Sequence, residues 1–355
     1  MVIKVAIIGV GNCASALVQG THYYRNAAEK ENVPGLLHVN MGGYHVRDVQ
    51  FVAAFDVDAR KVGKDLSEAI LSEPNNTRKF SDVPSTGVTV KKGPVMDGLG
   101  KYLTGFVKES TAKPVDVVKE LKESGAEVVV NYLPVGSEQA VRWYAEQALE
   151  AGCAFVNCMP VFIASDGAWQ ERFQKKGLPV AGDDVMSQIG ATVLHKTLAK
   201  LLVDRGVEIT ESYQLNIGGD TDFLNMLEES RLISKRISKT SAVQAMIPYK
   251  VPLRIGPSDY VPFLNNKKIC YLYLKGEYFG GTPVQIDVKL DVWDSPNSGG
   301  VVIDVIRASK IALDREISGP LIGPSAFAFK HPPEQMPYEV AKRRFDDFIE
   351  GKRER

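Results

Sequence analysis

An apolar run of strand length leads without a break into a glycine turn. Val2, Ile3, Val5, Ala6, Ile7 and Ile8 are followed by Gly9-Val10-Gly11-Asn12-Cys13-Ala14, and a helix start is expected over Asn12 to Val18. This G-x-G-x-x-A order constrains the chain more than any other stretch. Gly9 permits a tight strand-to-helix turn, Gly11 lets a pyrophosphate approach the backbone, and Ala14 lets the helix pack closely on the strand. Free N–H groups and the dipole of the helix start would hold the phosphates. A strand–helix turn that binds nothing is the other reading of the same residues.

A second strand is expected over Val49 to Phe55, ending at Asp56. In a dinucleotide fold an acidic residue at this strand end bonds the adenosine ribose, about 20 residues after the glycines. Here the insert Thr21 to Asp48, with the turn signals Asn32-Val33-Pro34-Gly35 and Gly42-Gly43, lengthens that gap. Asp58 competes for the role, and Asp56 also reads as a plain strand-end carboxylate. Beyond it, helices are expected over Pro114 to Ser124 and Gln139 to Ala151, and strands over Glu127 to Tyr132, Ala154 to Asn157 and Leu178 to Ala181. Such alternation implies a mostly parallel sheet covered on both faces. Ligands then sit beyond the carboxyl ends of the strands, where Leu133-Pro134 and Asn157-Cys158 lie.

Length bounds the organisation: 355 residues allow two ordinary domains. The 43 basic and 43 acidic residues balance, which argues against nucleic acid or an acidic membrane surface as partner. Four cysteines without CxxC spacing read as reduced thiols of a cytoplasmic protein. The first residues read as a strand, not a signal peptide, and no apolar run has the length of a membrane helix.

The second half changes character. Ser187-Gln188-Ile189-Gly190-Ala191-Thr192 precedes a helix expected over Val193 to Val203, and is either a phosphate cradle or a plain helix cap. Val284, Ile286, Val288, Leu290 and Val292 alternate with polar residues, the pattern of an antiparallel sheet with one buried face. An amphipathic helix over Val301 to Arg315 is expected to return to the first domain, with a charged surface helix after Pro332. The five histidines form no metal-ligand spacing. Lys235 and Lys239 share a helix face, while Lys268 and Lys330 stand elsewhere in the chain. Each alone reads as surface charge. Brought together, repulsion and burial would lower their pKa values and make a general base available.

Taken together, GVGNCASALVQG, YHVRDVQFVAAFDVD, SEPNNT, NYLPVGSE, GDDVMSQIGAT, GGDTDFLNML, SKRISKT, VWDSPNSGG and PSAFAFKHPPEQ resemble the myo-inositol-1-phosphate synthase family in its compact prokaryotic form. The resemblance spans almost the whole chain. It implies an α/β fold: a Rossmann-like, doubly wound NAD-binding domain over residues 1–192 and 297–355. Residues 193–296 would form an α+β catalytic and tetramerisation domain with a largely antiparallel sheet, like the second domain of glyceraldehyde-phosphate dehydrogenase. The implied activity is cyclisation of D-glucose 6-phosphate to 1L-myo-inositol 1-phosphate. C5 is oxidised by NAD, C6 enolises and closes on the C1 aldehyde, and C5 is reduced again. A C5 ketone acidifies C6, and closure within one molecule gains from proximity.

Carried over by position, the family's catalytic residues fall on Lys235, Lys239, Lys268, Lys330 and Asp184. Lys235 and Lys330 would move the proton at the C5 oxygen, and Asp184 would lie beside the nicotinamide. Lys239 and Lys268 would bind phosphate and oxyanion, with Ser187, Gly190, Ala191 and Thr192 as the cradle. Cofactor contacts fall on Gly9, Gly11, Asn12, Cys13 and Asp56, and on Asn76, Leu133, Pro134 and Asp184. Asp222 and Asp294 would flank a mono- or divalent cation. Two residues depart from the family: Met186 stands where lysine is usual, and Asp220 where asparagine is usual. A homotetramer is the implied assembly. An NAD-dependent sugar-phosphate dehydrogenase and a non-catalytic NAD sensor are the alternative functions for such a fold.

Overall fold

The opening apolar run forms β1 (Ile3–Ile8), and the glycine turn delivers it into α1 (Asn12–Tyr23). The computed structural model describes residues 1–29 and 32–355, so the insert is described except at positions 30 and 31. β2 (Val49–Asp56) and β3 (Val90–Lys92) extend the sheet to one side of β1. After α2 (Val117–Ser124), β4 (Val128–Asn131) pairs with the other side of β1. α3 (Glu138–Ala151), β5 (Ala154–Asn157), α4 (Gly167–Lys175) and β6 (Pro179–Ala181) continue the alternation. A short late strand, Gly319–Pro320, extends that edge. Every pairing in this seven-stranded sheet is parallel, and the order reverses between β1 and β4. That reversal opens the crevice where a doubly wound sheet holds a dinucleotide.

Alternation along β1 divides two cores. Ile3, Val5 and Ile7 pack with α1, whereas Ala6 and Ile8 face α2 and α3. α2 begins three residues later than the Pro114 start read from the sequence, because the Asp116 carboxylate caps it by accepting from the Lys119 N–H.

α5 (Ala191–Asp204) leads to a second, four-stranded sheet: β7 (Glu208–Gly218), β8 (Leu253–Tyr260), β9 (Lys267–Tyr278) and β10 (Thr282–Trp293), in the order β8-β7-β9-β10. β9 pairs antiparallel with both neighbours, while β7 and β8 run parallel because α6 (Ile233–Gln244) crosses between them. Ile209, Ile255 and Leu274 on the inner face pack against Ala199 and Leu202 of α5 and Val243 of α6. The alternating face of β10 is only half-buried, since β10 is an edge strand.

α7 (Pro296–Asp314) returns to the first sheet and packs on α1. The sequence suggests an amphipathic helix here; the structure buries it almost all round. Its polar members are neutralised inside: Arg307 pairs with Asp304 and donates to the carbonyls of His38 (2.8 Å), Val39 (2.9 Å) and Tyr44 (3.2 Å). The long insert is thus folded down onto α7. α8 (Ile322–Ala328) and α9 (Tyr338–Ile349) close the chain, with Phe345 and Phe348 in the first core. None of the helices among the described residues is long and apolar enough to cross a membrane.

Candidate active site

The glycine turn forms one end of a cavity of about 280 Å³. Gly9 has φ 85°, and a Cβ there would lie 2.7 Å from the Tyr132 carbonyl oxygen. Only glycine fits that approach. Gly11 faces open space, with no atom within 4 Å of where a Cβ would stand. The N-terminus of α1 has no side-chain cap, so its first N–H groups are available to an anion. Asp56 holds the turn: its carboxylate accepts from the Val10 N–H (2.7 Å) and from the N–H groups of Val57 and Asp58. Asp58, the competing candidate, is committed to Arg60 at 2.6 Å and 3.0 Å. Cys13, Leu133 and Pro134 line the same wall. The residues present therefore fit a dinucleotide: an open glycine cradle, uncapped helix N–H groups, and a carboxylate at the end of β2.

The other end of the cavity is built by three separated segments. Gly182-Asp183-Asp184 leaves β6, and the stretch around Phe329 pairs back along it. Lys330 N donates to the Asp184 carbonyl (2.7 Å), and Asp183 and His331 exchange N–H···O bonds (3.0 Å each). Asp184 has φ 62°, a left-handed conformation uncommon outside glycine. α6 packs across both stretches and presents Lys235, Ser238 and Lys239, one turn apart on one face.

At the centre stands the Asp184 carboxylate, fully enclosed. It accepts from Lys235 Nζ (3.0 Å), Lys330 Nζ (2.9 Å) and Ser238 Oγ (2.5 Å). Burial pushes its pKa up, but the two ammonium charges and the hydroxyl pull it well below the usual carboxylate range. The four lysines do meet, as charge, yet they divide into two pairs. Burial works against the cationic form of Lys235, but the Asp184 and Asp222 charges more than offset it and hold the ammonium. Burial also opposes the charge on Lys268, where Asp294, at 3.4 Å, prevails and raises the pKa. Lys239 has no hydrogen-bond partner among the described residues; burial and the charges of Lys268, Lys235 and Lys330 push it down to about 7. Lys330 falls to about 8, through burial that Asp184 only partly offsets, with Lys235 and Lys268 adding repulsion.

Other expected residues take varied places. Asp222, Asp294 and Ser187 line the cavity. Asn76 does not: its backbone N–H donates to Asn12 Oδ1 at 2.8 Å, and its side-chain Nδ2 donates to the Gly219 carbonyl at 3.2 Å. Gly190, Ala191 and Thr192 also lie outside the wall. Asn297 grips Gln188 and Ile189, and the first turn of α5 is buried. Met186, the first departure, is buried and off the wall, its N–H bonded to the Ala328 carbonyl. Asp220, the second, caps the short helix Thr221–Asn225 and accepts from Asn266 Nδ2 at 2.7 Å. Burial, with Asp222 and Asp294 nearby, raises its pKa to about 7. No group of three or more metal-type ligands forms among the described residues.

Sequence reasoning missed two residues. Ser238 sits between Lys235 and Lys239 on the same helix face, fully buried, a position readable from spacing alone. Asp183 accepts from Asn157 Nδ2 (2.7 Å), Ser165 Oγ (2.7 Å) and the N–H groups of residues 163–165, and so pins the turn that carries Asp184. Only the doubled aspartate hinted at it.

The family model for myo-inositol-1-phosphate synthase matches residues 190–295. The chain is 56% identical to the inositol-3-phosphate synthase of Mycolicibacterium smegmatis, over 98% of each chain. It is 54% identical to that of Corynebacterium glutamicum, again over 98% of each. A crystal structure of a myo-inositol-1-phosphate synthase-related protein from Thermotoga maritima superposes with a TM-score of 0.83 at 28% identity, covering 99% of both chains. With the glycine cradle, the enclosed aspartate and the lysine set in one cavity, and with relatives this similar over their full length, the chain belongs to the myo-inositol-1-phosphate synthase family.

Proposed function

We propose that this chain is an NAD-dependent isomerase that cyclises D-glucose 6-phosphate to 1L-myo-inositol 1-phosphate with no net redox change. The observation that carries the reading is the meeting of four lysines around Asp184 in the cavity that begins at the glycine turn. When bound, NAD supplies a reversible hydride acceptor for C5. The chain's own residues do the rest. Lys330, its pKa brought down by burial to about 8, takes the C5 hydroxyl proton and later returns it. Lys235, held as a cation by Asp184, steadies negative charge on the C5 oxygen. Lys239 and Lys268, with Ser187, neutralise the phosphate and the developing enolate. Asp184 keeps Lys235 and Lys330 in one geometry.

A cation bound between Asp222 and Asp294 would compete with Lys268 for Asp294. Two carboxylates leave several positions for substrate oxygens, as a hard cation prefers. The chain's four free thiols suit a reducing compartment, and we place it in the cytoplasm. The outer face of the second sheet carries exposed Tyr213, Leu215 and Tyr271, an apolar surface suited to burial in a homotetramer.

The test is incubation with glucose 6-phosphate and catalytic NAD, with product identification and absorbance at the NADH band. Inositol phosphate without NADH accumulation is expected. NADH rising in step with substrate loss would identify a dehydrogenase, and no turnover at all a sensor.

A further inference from the structure

One polar side chain that the proposed chemistry does not use, Gln335, reaches the main chain of Lys330 from outside the cavity, and a second, Lys196, bonds to that amide. Lys330 is followed by Pro332, Pro333 and Pro337, a stretch whose prolines lack N–H groups to hold it by backbone bonding. Gln335 bridges it. Its Nε2 donates to the Lys330 carbonyl at 2.6 Å, and its Oε1 accepts from Lys196 Nζ at 3.4 Å. The neighbouring Met336 is buried against Ala326 and Ala341, which fixes the amide's own origin.

Lys196 lies on α5, one turn beyond Thr192 and on the same buried face, and it is only 5% exposed. Among the described residues it has no carboxylate partner. An ammonium in that place carries a desolvation cost, and nothing in the packing of α5 calls for a charge. Among the described residues its ammonium makes one hydrogen bond, to the Gln335 amide. The Lys330 side chain is already held on the cavity side by Asp184 and by the Val185 carbonyl at 2.7 Å. Its carbonyl is held on the far side by Gln335 alone among side chains.

We infer that Gln335, backed by Lys196, is a positioning residue for Lys330: the amide clamps the Lys330 carbonyl to α5 and so sets where the Nζ stands above the substrate. This rests on the reading of Lys330 as the proton-transfer group. The clamp is directional. It needs a donor toward Lys330 and an acceptor toward Lys196, and an amide offers both.

Three variants test it: Gln335→Leu, Gln335→Glu and Lys196→Met, with the double Lys196→Met/Gln335→Leu. Gln335→Leu should lower kcat about 10-fold, as expected for a displaced catalytic group. KM for glucose 6-phosphate, NAD affinity and melting temperature should stay near the parent values. Gln335→Glu keeps the acceptor for Lys196 but faces a carboxylate to a carbonyl, so it should not rescue kcat. Lys196→Met should cost less, and the double variant should be no slower than Gln335→Leu alone, because one clamp is lost only once. Unchanged kcat in Gln335→Leu, or recovery in Gln335→Glu, would overturn the inference. So would additive losses in the double variant, or a kcat loss that merely tracks falling NAD affinity and melting temperature. Lys330→Ala serves as the control. If it turns over at the parent rate, the reading of Lys330 fails, whatever Gln335 does.

Discussion

At the scale of single residues, the site turns on which lysines keep their charge. Lys235 and Lys330 touch the same Asp184 oxygen, at 3.0 Å and 2.9 Å, and burial opposes the charge on both; the Asp184 and Asp222 charges outweigh it at Lys235, whereas Lys330 is brought down to about 8. A group that must accept a proton works only once neutral. The rate should therefore rise with pH through the Lys330 value and flatten above it, with Lys235, Lys268 and Asp184 as the charged neighbours that set that value. Lys330→Arg should lose about 10²–10⁴-fold in kcat, because guanidinium cannot act as a base. Lys235→Arg preserves the charge that Asp184 faces and should lose less. Single-turnover NADH formation on glucose 6-phosphate, measured from pH 6 to 9, separates the two. Equal losses in both arginine variants would assign proton transfer to the pair and not to Lys330.

At the scale of elements, α5 and β7 are joined by a neutral histidine. Ser212 Oγ donates to the Tyr273 carbonyl, so it accepts from His195 Nε2–H at 2.8 Å. The other ring nitrogen is buried with no hydrogen-bond partner among the described residues. Burial lowers the His195 pKa to about 4. A histidine whose folded pKa lies below its unfolded value supports the fold while neutral. That support is complete above the unfolded value of about 6.5 and is lost as pH falls toward 4. Thermal melts should show the parent losing stability across that window, and His195→Gln, which cannot titrate, losing less. Parallel curves for the two proteins would show that His195 does not carry this pH dependence. The same joint aligns α5 with the sheet that bears Lys268.

For the whole molecule, the second sheet has one face on α5 and α6 and one face open. Tyr213 and Tyr273 stack there with ring centroids 4.8 Å apart, and Phe279 at the β9–β10 turn is 95% exposed. Aromatic surface of this kind is stable in water mainly when another chain covers it. On the proposed tetramer, the parent should show the mass of four chains by light scattering, and Tyr213→Glu with Tyr271→Glu should reduce it. A parent protein that runs as a monomer would refute the assembly.

Local signals carried much of this protein on their own. The strand–glycine–helix order, the alternation of helices with apolar strands, and the alternating face of β10 are written in nearest-neighbour chemistry, since backbone sterics and side-chain periodicity act over a few residues. Lys235 and Lys239 declared a shared face for the same reason. The rest needed the folded chain. Lys268 reaches the cavity only because β9 pairs with β7 and β10 beside Asp294, and Lys330 reaches Asp184 only because Phe329–His331 pairs with the Gly182–Asp184 turn. Burial of α7 depended on the insert supplying carbonyls to Arg307. The division of the lysines into two held as cations and two lowered toward neutrality was decided by desolvation and by which of them also face Asp222 and Asp294. Both are properties of a three-dimensional enclosure, which no spacing along the chain encodes.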